Sequence, residues 1–305
     1  MFSTSGLNWR KYYPSGSKVL LSLAVFAALV SGTASQSYAA SYTKGITGGA
    51  KGDKQNFTDV TITTKGKEVV YDFAAGDHTF DVTNTELSDT ESPIHMKNYK
   101  TVTVNNTGGT FHMNLANTAK SSYNGVSAIS NGFNDTLTIN SNLDISVSSD
   151  YLGNAFALTG SKSNITVNGN VKIRKDNTAN PWGVVTNKIH GDFGPDGDQN
   201  QLAPNYTGAR WQPTGIWNNG TSGSSITING DFDAAVRGTA VSSDPYNKSG
   251  DSYETDYINL NDGNVTIDTP ESTEESFYSL AGYGGTINVS NFAHGKHPVC
   301  LDKSA

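Results

Sequence analysis

The feature that most constrains this chain is a short strand written several times over: "LTINSN" from Leu137, "ITVNGN" from Ile165 and "ITINGD" from Ile226. Side chains alternate across a strand, so Ile226 and Ile228 face one side while Thr227 and Asn229 face the other. One face is dry and the other wet. The closing Asn-Gly-Asp tolerates positive φ and lets the chain turn a corner. A half-buried strand that ends in a corner needs a neighbour for its backbone edge and another for its apolar face.

The recurrence extends beyond the strand. "GVSAISNGFNDTLTINSN" (Gly125–Asn142), "GNAFALTGSKSNITVNGN" (Gly153–Asn170) and "TGIWNNGTSGSSITINGD" (Thr214–Asp231) share one order: a short strand of small and apolar residues, a Gly/Asn/Ser turn, then the alternating strand. The alternating strands start at Leu137, Ile165, Ile226, Val265 and, with the order shifted, Thr286, giving gaps of 28, 61, 39 and 21 residues. A coil of three short strands and three turns needs roughly 20–25 residues. The shortest gap is then one coil, 28 is one coil with a longer loop, and the larger ones hold two coils or coils with insertions.

The segment 176–213 reads as an insertion, because Pro181, Pro195, Pro204 and Pro213 cannot sit in a central ladder. The expected fold is all-β, a right-handed parallel β-helix (solenoid) with a loop insertion. The same alternation with Gly-rich turns also fits an antiparallel β-sandwich. Composition agrees with an all-β chain: charged residues are only 16%, and polarity comes from Asn, Thr and Ser beside 32 Gly. No sustained amphipathic helical run follows the first forty residues.

The N-terminus reads as an export signal. Arg10, Lys11 and Lys18 precede the 12-residue apolar stretch Val19–Val30, and Ser37 and Ala39 have small-residue cleavage spacing. A membrane span needs about 20 apolar residues, so 1–39 is taken as a signal peptide. Its removal shifts the formal charge from −7 to −10. That acidity argues against a nucleic-acid partner, which requires clustered Lys and Arg. Cys300 is the single cysteine, so no internal disulfide can form.

A signal peptide ending "SQSYAAS", followed at once by "ITVNGN" and "ITINGD" strands, resembles the passenger region of type V secreted bacterial autotransporters over most of residues 40–293. The resemblance implies a β-helical passenger displayed at the cell surface or secreted, and membrane attachment through a C-terminal outer-membrane barrel. This chain shows no barrel pattern of alternating ten-residue segments. Its last residues, 294–305 ("HGKHPVCLDKSA"), break the composition of the repeats, as a truncated frame or fragment would. The expected function is a structural stalk or adhesin without evident chemistry. Contacts with host surface glycans or proteins are expected through the 176–213 loop, with Trp182, Tyr206 and Trp211 as a sugar-stacking surface. Trp217 is expected to fill the core beside Ile216.

Residues that could carry chemistry have a plainer reading in each case. Gly250-Asp251-Ser252 resembles a serine-protease nucleophile site, but Tyr253 stands where that site has glycine. Asp231 and Asp233 could act as paired carboxylates of a carbohydrate-active β-helix enzyme, the alternative function, although Asp231 also reads as a corner residue. Asp192, Asp196 and Asp198 could bind calcium or simply form a solvated loop. His78, His95, His112 and His190 are isolated, and His294 and His297 lack a ligand set. No catalytic residue, cofactor or metal is assigned. A last coil left uncovered would present an open sheet edge.

Overall fold

The computed structural model describes residues 40–85, 91–96, 100–117, 126–132, 135–149, 155–160, 163–174, 213–218, 223–235, 239–243, 257–267, 280–282, 285–295 and 299–301. All lie within one unit, Tyr38–Ala305. The proposed signal peptide 1–39 and nearly all of the proline-rich segment fall outside the described residues.

The chain is all-β, and the one helix among the described residues is the four-residue Ala50–Asp53. Alternation in sequence becomes alternation in burial. In Ser225–Asn229, Ile226 and Ile228 are fully buried while Ser225, Thr227 and Asn229 are partly exposed. Asn164–Asn168 repeats the pattern with Ile165 and Val167.

The strands form a 12-stranded and a seven-stranded sheet. Among the described residues pairing is parallel except between Val60–Lys65 and Glu68–Phe73. The alternating strands lie side by side in one register: Val102 opposite Leu137, Leu137 opposite Ile165, Ile165 opposite Ile226, Ile226 opposite Ile258, and Ile258 opposite Ile287. Beyond the corner a second column aligns Phe111, Leu143, Val171, Phe232, Val265 and Phe292. The chain then enters the seven-stranded sheet, as in Ala155–Gly160, Pro213–Asn218 and Thr239–Ser243, before returning to the first column one strand further on.

This register corrects two details of the repeat. The strand after Ser225–Asn229 in the first column is 257–261, "YINLN", whereas Val265 belongs to the second column opposite Phe232. Successive passes are 35, 28, 61, 32 and 29 residues apart, longer than the expected coil. The reason is strand length: Thr101–Asn117 has 17 residues and runs through the corner, where its register shifts between Asn105 and Thr110. The 61-residue gap is a single pass containing the insertion, since Asn164–Asn168 pairs directly with Ser225–Asn229. Parallel pairing also continues past residue 293, with Leu280 opposite Val299 and Gly282 opposite Leu301.

Corner glycines permit this stacking. Gly230 has φ +154°, and a Cβ there would sit 2.5 Å from the Gly169 carbonyl oxygen. A Cβ on Gly169, at φ +158°, would sit 2.3 Å from the Ser141 carbonyl oxygen. Neighbouring corners thus approach more closely than any side chain allows.

The first pass is closed by different chemistry. The antiparallel hairpin 60–73 covers the outer edge of the Glu68–Phe73 strand, whose inner edge pairs with 101–106. Tyr42, Phe57, Phe73, Phe80 and Phe111 pack edge to face beneath it, with centroids 5.0 Å apart for Tyr42–Phe57 and 5.1 Å for Phe73–Phe111. The buried Asp53 carboxylate accepts from Thr47 N at 2.9 Å, Thr47 Oγ1 at 2.8 Å and Tyr71 Oη at 2.6 Å. Burial, reinforced by Asp53, pushes the Tyr71 phenol well above its ordinary pKa.

Candidate functional site: a polar groove beside the corner

The Asn residues of the repeated strand form a hydrogen-bonded ladder across the sheet. Asn105 Nδ2 donates to Asp72 Oδ1 at 2.7 Å, Asn140 to Asn105 at 2.7 Å, Asn168 to Asn140 at 2.7 Å, Asn229 to Asn168 at 2.8 Å and Asn261 to Asn229 at 3.3 Å. Each amide donates toward the N-terminal end, and Asn105, Asn140, Asn168 and Asn229 each accept through Oδ1 from the next strand. The series ends at Asp72, a carboxylate, which needs no further acceptor because it has nothing to donate.

A second ladder follows the corner. Asn170 N donates to Asn142 Oδ1 at 2.9 Å, Asp231 N to Asn170 Oδ1 at 2.9 Å and Asn264 N to Asp231 Oδ1 at 2.8 Å. Asn229, Gly230 and Asp231 therefore serve the stacking of strands. Asp231 is the corner residue that the sequence suggests, with one carboxylate oxygen committed to the next corner.

Next to this corner the outward side chains of the second column form a groove of about 510 Å³, lined in part by His112, Asp144, Lys172, Asp231, Asp233 and Thr266. Register explains the grouping: His112 lies opposite Asp144, Asp144 opposite Lys172, Lys172 opposite Asp233 and Asp233 opposite Thr266. Basic and acidic residue types alternate strand by strand. The His112 Nδ1 to Asp144 Oδ2 distance is 3.8 Å. Asp233 is held by Arg174, two residues along from Lys172, with Nη2 2.6 Å from Oδ2. Lys172 is exposed between two carboxylate-bearing strands. Such a row offers donors, acceptors and charges of both signs at about 4.8 Å spacing, suited to hydroxyl-rich or charged extended ligands.

Other sequence candidates fall elsewhere. His78 is fully buried, its Nε2 donating to Ala74 O at 2.7 Å and its Nδ1 3.3 Å from Asp59 Oδ2, while Tyr42 Oη donates to Asp59 Oδ1. That cluster belongs to the aromatic cap. His95 Nδ1 lies 2.5 Å from Ser130 Oγ, the pairing a nucleophile would need, but Ser130 is buried in the seven-stranded sheet and closed to substrate. Trp217 is only partly buried, in contrast to the core position expected for it, while Ile216 beside it is fully buried. Alternation along the strand separates the two.

Asp192, Asp196, Asp198, His190, His297, Ser252, Trp182, Tyr206 and Trp211 lie outside the described residues, as does the side chain of His294. Among the described residues no group of three His, Cys, Asp or Glu side chains could hold a metal ion. The groove itself escapes a sequence reading, because its members are far apart in the chain and only register brings them together. Compared with family models, curated proteins and solved structures, the chain matches none.

Proposed function

We propose that the chain is an exported, right-handed parallel β-helix that serves as a bacterial cell-surface stalk or adhesin. The observation that carries this reading is the in-register column Val102, Leu137, Ile165, Ile226 and Ile258, fully buried at every pass and flanked by asparagine ladders. A column of this kind makes stability a sum over neighbouring layers, which suits an extended, displayed element. The sequence spends its Asn and Asp on that stacking. The leader-like 1–39 segment supports export, and the groove and the 176–213 loop are the surfaces that would meet host glycans or proteins.

A second reading, a carbohydrate-active enzyme, draws support from the groove, where Asp144 and Asp233 flank Lys172 on adjacent strands. One experiment separates the two. The purified chain is incubated with a panel of neutral and acidic polysaccharides, with calcium, while binding and chain length are both followed. Binding without cleavage supports the adhesin. Cleavage lost in Asp233→Asn and Asp144→Asn, with the fold intact by circular dichroism, replaces it with the enzyme. Antiparallel pairing of 164–168 with 225–229 in an experimental structure would overturn the β-helix itself.

A further inference from the structure

We propose that the groove beside the corner holds a uronate, a carboxylate-bearing sugar residue of an acidic glycan, with that carboxylate over Asn170 and Lys172. The proposal rests on the reading of this groove as a glycan-contacting surface and names the sugar chemistry it takes.

The middle strand of the groove offers donors alone. Asn142 and Asn170 each spend the side-chain oxygen on the next corner, accepting from Asn170 N and from Asp231 N, both at 2.9 Å. Fixing the oxygen fixes the amide. Each Nδ2 is left without an acceptor among the described residues, on an exposed side chain. Lys172 stands two residues after Asn170, on the same face and roughly 7 Å away. It is exposed and forms no ion pair among the described residues.

The strands on either side offer acceptors. Asp144 lies opposite Lys172 on one side and Asp233 on the other. Asp231, beside Asn170 at the corner, has one oxygen occupied by Asn264 N and the second without a partner among the described residues. Their charges are unequally available. Arg174 already neutralises Asp233 at 2.6 Å, and His112 Nδ1 stands 3.8 Å from Asp144. Lys172 is the cation that no carboxylate holds.

A ligand matched to this grid carries one anionic acceptor flanked by hydroxyl donors. A uronate ring has both: a carboxylate to accept from Asn170 Nδ2 and Lys172 Nζ, and hydroxyls to donate to Asp144 and Asp231. A neutral sugar would leave the Lys172 ammonium without a counter-charge. A run of Asp or Glu in a peptide supplies the anion but no hydroxyls, and sets its further carboxylates against Asp144 and Asp231.

The test titrates the whole chain into an end-labelled hexamer of galacturonate, and into the same hexamer methyl-esterified at every carboxyl, followed by fluorescence anisotropy. The expected result is saturable binding of the acid that weakens with added salt, the ester binding about tenfold more weakly. Lys172→Gln should weaken the acid about three- to tenfold and leave the ester unchanged. Lys65→Gln, the same charge change on the N-terminal hairpin, should alter neither. Asn170→Asp keeps the oxygen that accepts from Asp231 N and replaces the outward donor with a charge, so it should abolish acid binding with the urea midpoint little changed. No saturable binding of the acid up to about 1 mM overturns the proposal. So do equal affinities for acid and ester, which assign the groove to a neutral glycan, and tighter binding of a hexaglutamate peptide, which assigns it to an acidic protein segment. Acid binding that Lys172→Gln leaves unchanged overturns it while the adhesin reading stands on another surface. Cleavage of the acid hexamer, absent with the ester and reduced in Lys172→Gln, supports the uronate site and overturns the adhesin reading alone.

Discussion

The Arg174 guanidinium straddles the Asp233 carboxylate, with Nη2 2.6 Å from Oδ2 and Nη1 3.3 Å from Oδ1, joining strands whose partners are 59 residues apart in sequence. The two strands bracket the proline-rich segment, so the chain leaves the second column at Arg174 and re-enters it opposite the same strand. Ile173 and Ala234, directly opposite each other and buried, do the same on the inner face. The pair thus ties the strand that precedes the proline-rich segment to its neighbour in the second column.

Its contribution to stability should be small. The side chains are 31% and 46% exposed, so solvent and salt screen their attraction. Asp233→Asn is expected to change the unfolding free energy by no more than about 1 kcal/mol, and less in high salt. Urea unfolding at two ionic strengths measures it. A loss of several kcal/mol would mean that the ion pair is far less screened than its exposure implies.

The ladder should be more sensitive, and sensitive to direction. Asn168 donates to Asn140 and accepts from Asn229, so Asn168→Ala breaks two contacts and is expected to cost about 1–2 kcal/mol. Asn168→Asp keeps the acceptor and loses the donor, leaving two oxygens face to face. It should be at least as destabilising near neutral pH and recover as acidification protonates the new carboxyl and restores a donor. Denaturant midpoints for both variants across pH check this, and an Asp variant indifferent to pH would argue against ladder polarity.

The repeated strand is legible because hydrophobic alternation has a fixed physical cause, and the burial of Ile165, Val167, Ile226 and Ile228 follows it residue by residue. The strand 257–261 escapes the pattern because Asn259 replaces its Thr, though an amide serves the outward position as well as a hydroxyl does: Asn259 Nδ2 donates to Thr227 Oγ1 at 3.2 Å. Asp231 can be read as a corner residue from its place after Asn-Gly. The groove cannot be read, since His112, Asp144, Lys172 and Asp233 become neighbours only through register. Pass length is underestimated because nothing local announces that Thr101–Asn117 continues through its corner.

Core truncations should report position within the stack. Ile226 is enclosed by layers on both sides, so Ile226→Ala is expected to cost about 2–5 kcal/mol. Ile287, partly buried at the layer with the exposed Phe292, should cost about 1 kcal/mol, on the scale of a side chain that gives up little buried area. Equal losses at the two sites, measured by equilibrium unfolding, would show that something already covers the 286–295 layer.

Gly230→Ala tests the corner without touching the core. The added methyl would meet the Gly169 carbonyl at 2.5 Å from a backbone at φ +154°, so both contact and conformation oppose it. Strain of this kind costs about 1–3 kcal/mol. Gly223→Ala gives the comparison: its φ is +64°, but a Cβ there meets nothing within 4 Å. The Gly230 variant should unfold at distinctly lower denaturant, and matching midpoints would rule out close corner stacking.

Asp135 supplies a pH test. Its carboxyl is almost fully buried, accepts from Lys100 N through Oδ1 and leaves Oδ2 without a partner. Burial raises its pKa, opposed by the Lys100 backbone hydrogen bond and the Lys100 charge. A raised acid pKa means that the folded state holds the proton more tightly than the unfolded chain. The resulting stabilisation is fully present below about pH 4, the ordinary carboxylate value, and is lost as pH rises through the higher folded value. Asp135→Asn keeps an oxygen for Lys100 N and cannot ionise, so its stability relative to the native chain should climb as pH rises above about 4 and level off once the folded carboxyl has ionised. Paired urea titrations across that range measure the difference. A flat difference would place the ionised carboxylate in a better-solvated site than its burial implies, and a falling one would show that the charged form is held by Lys100 more strongly than burial opposes it.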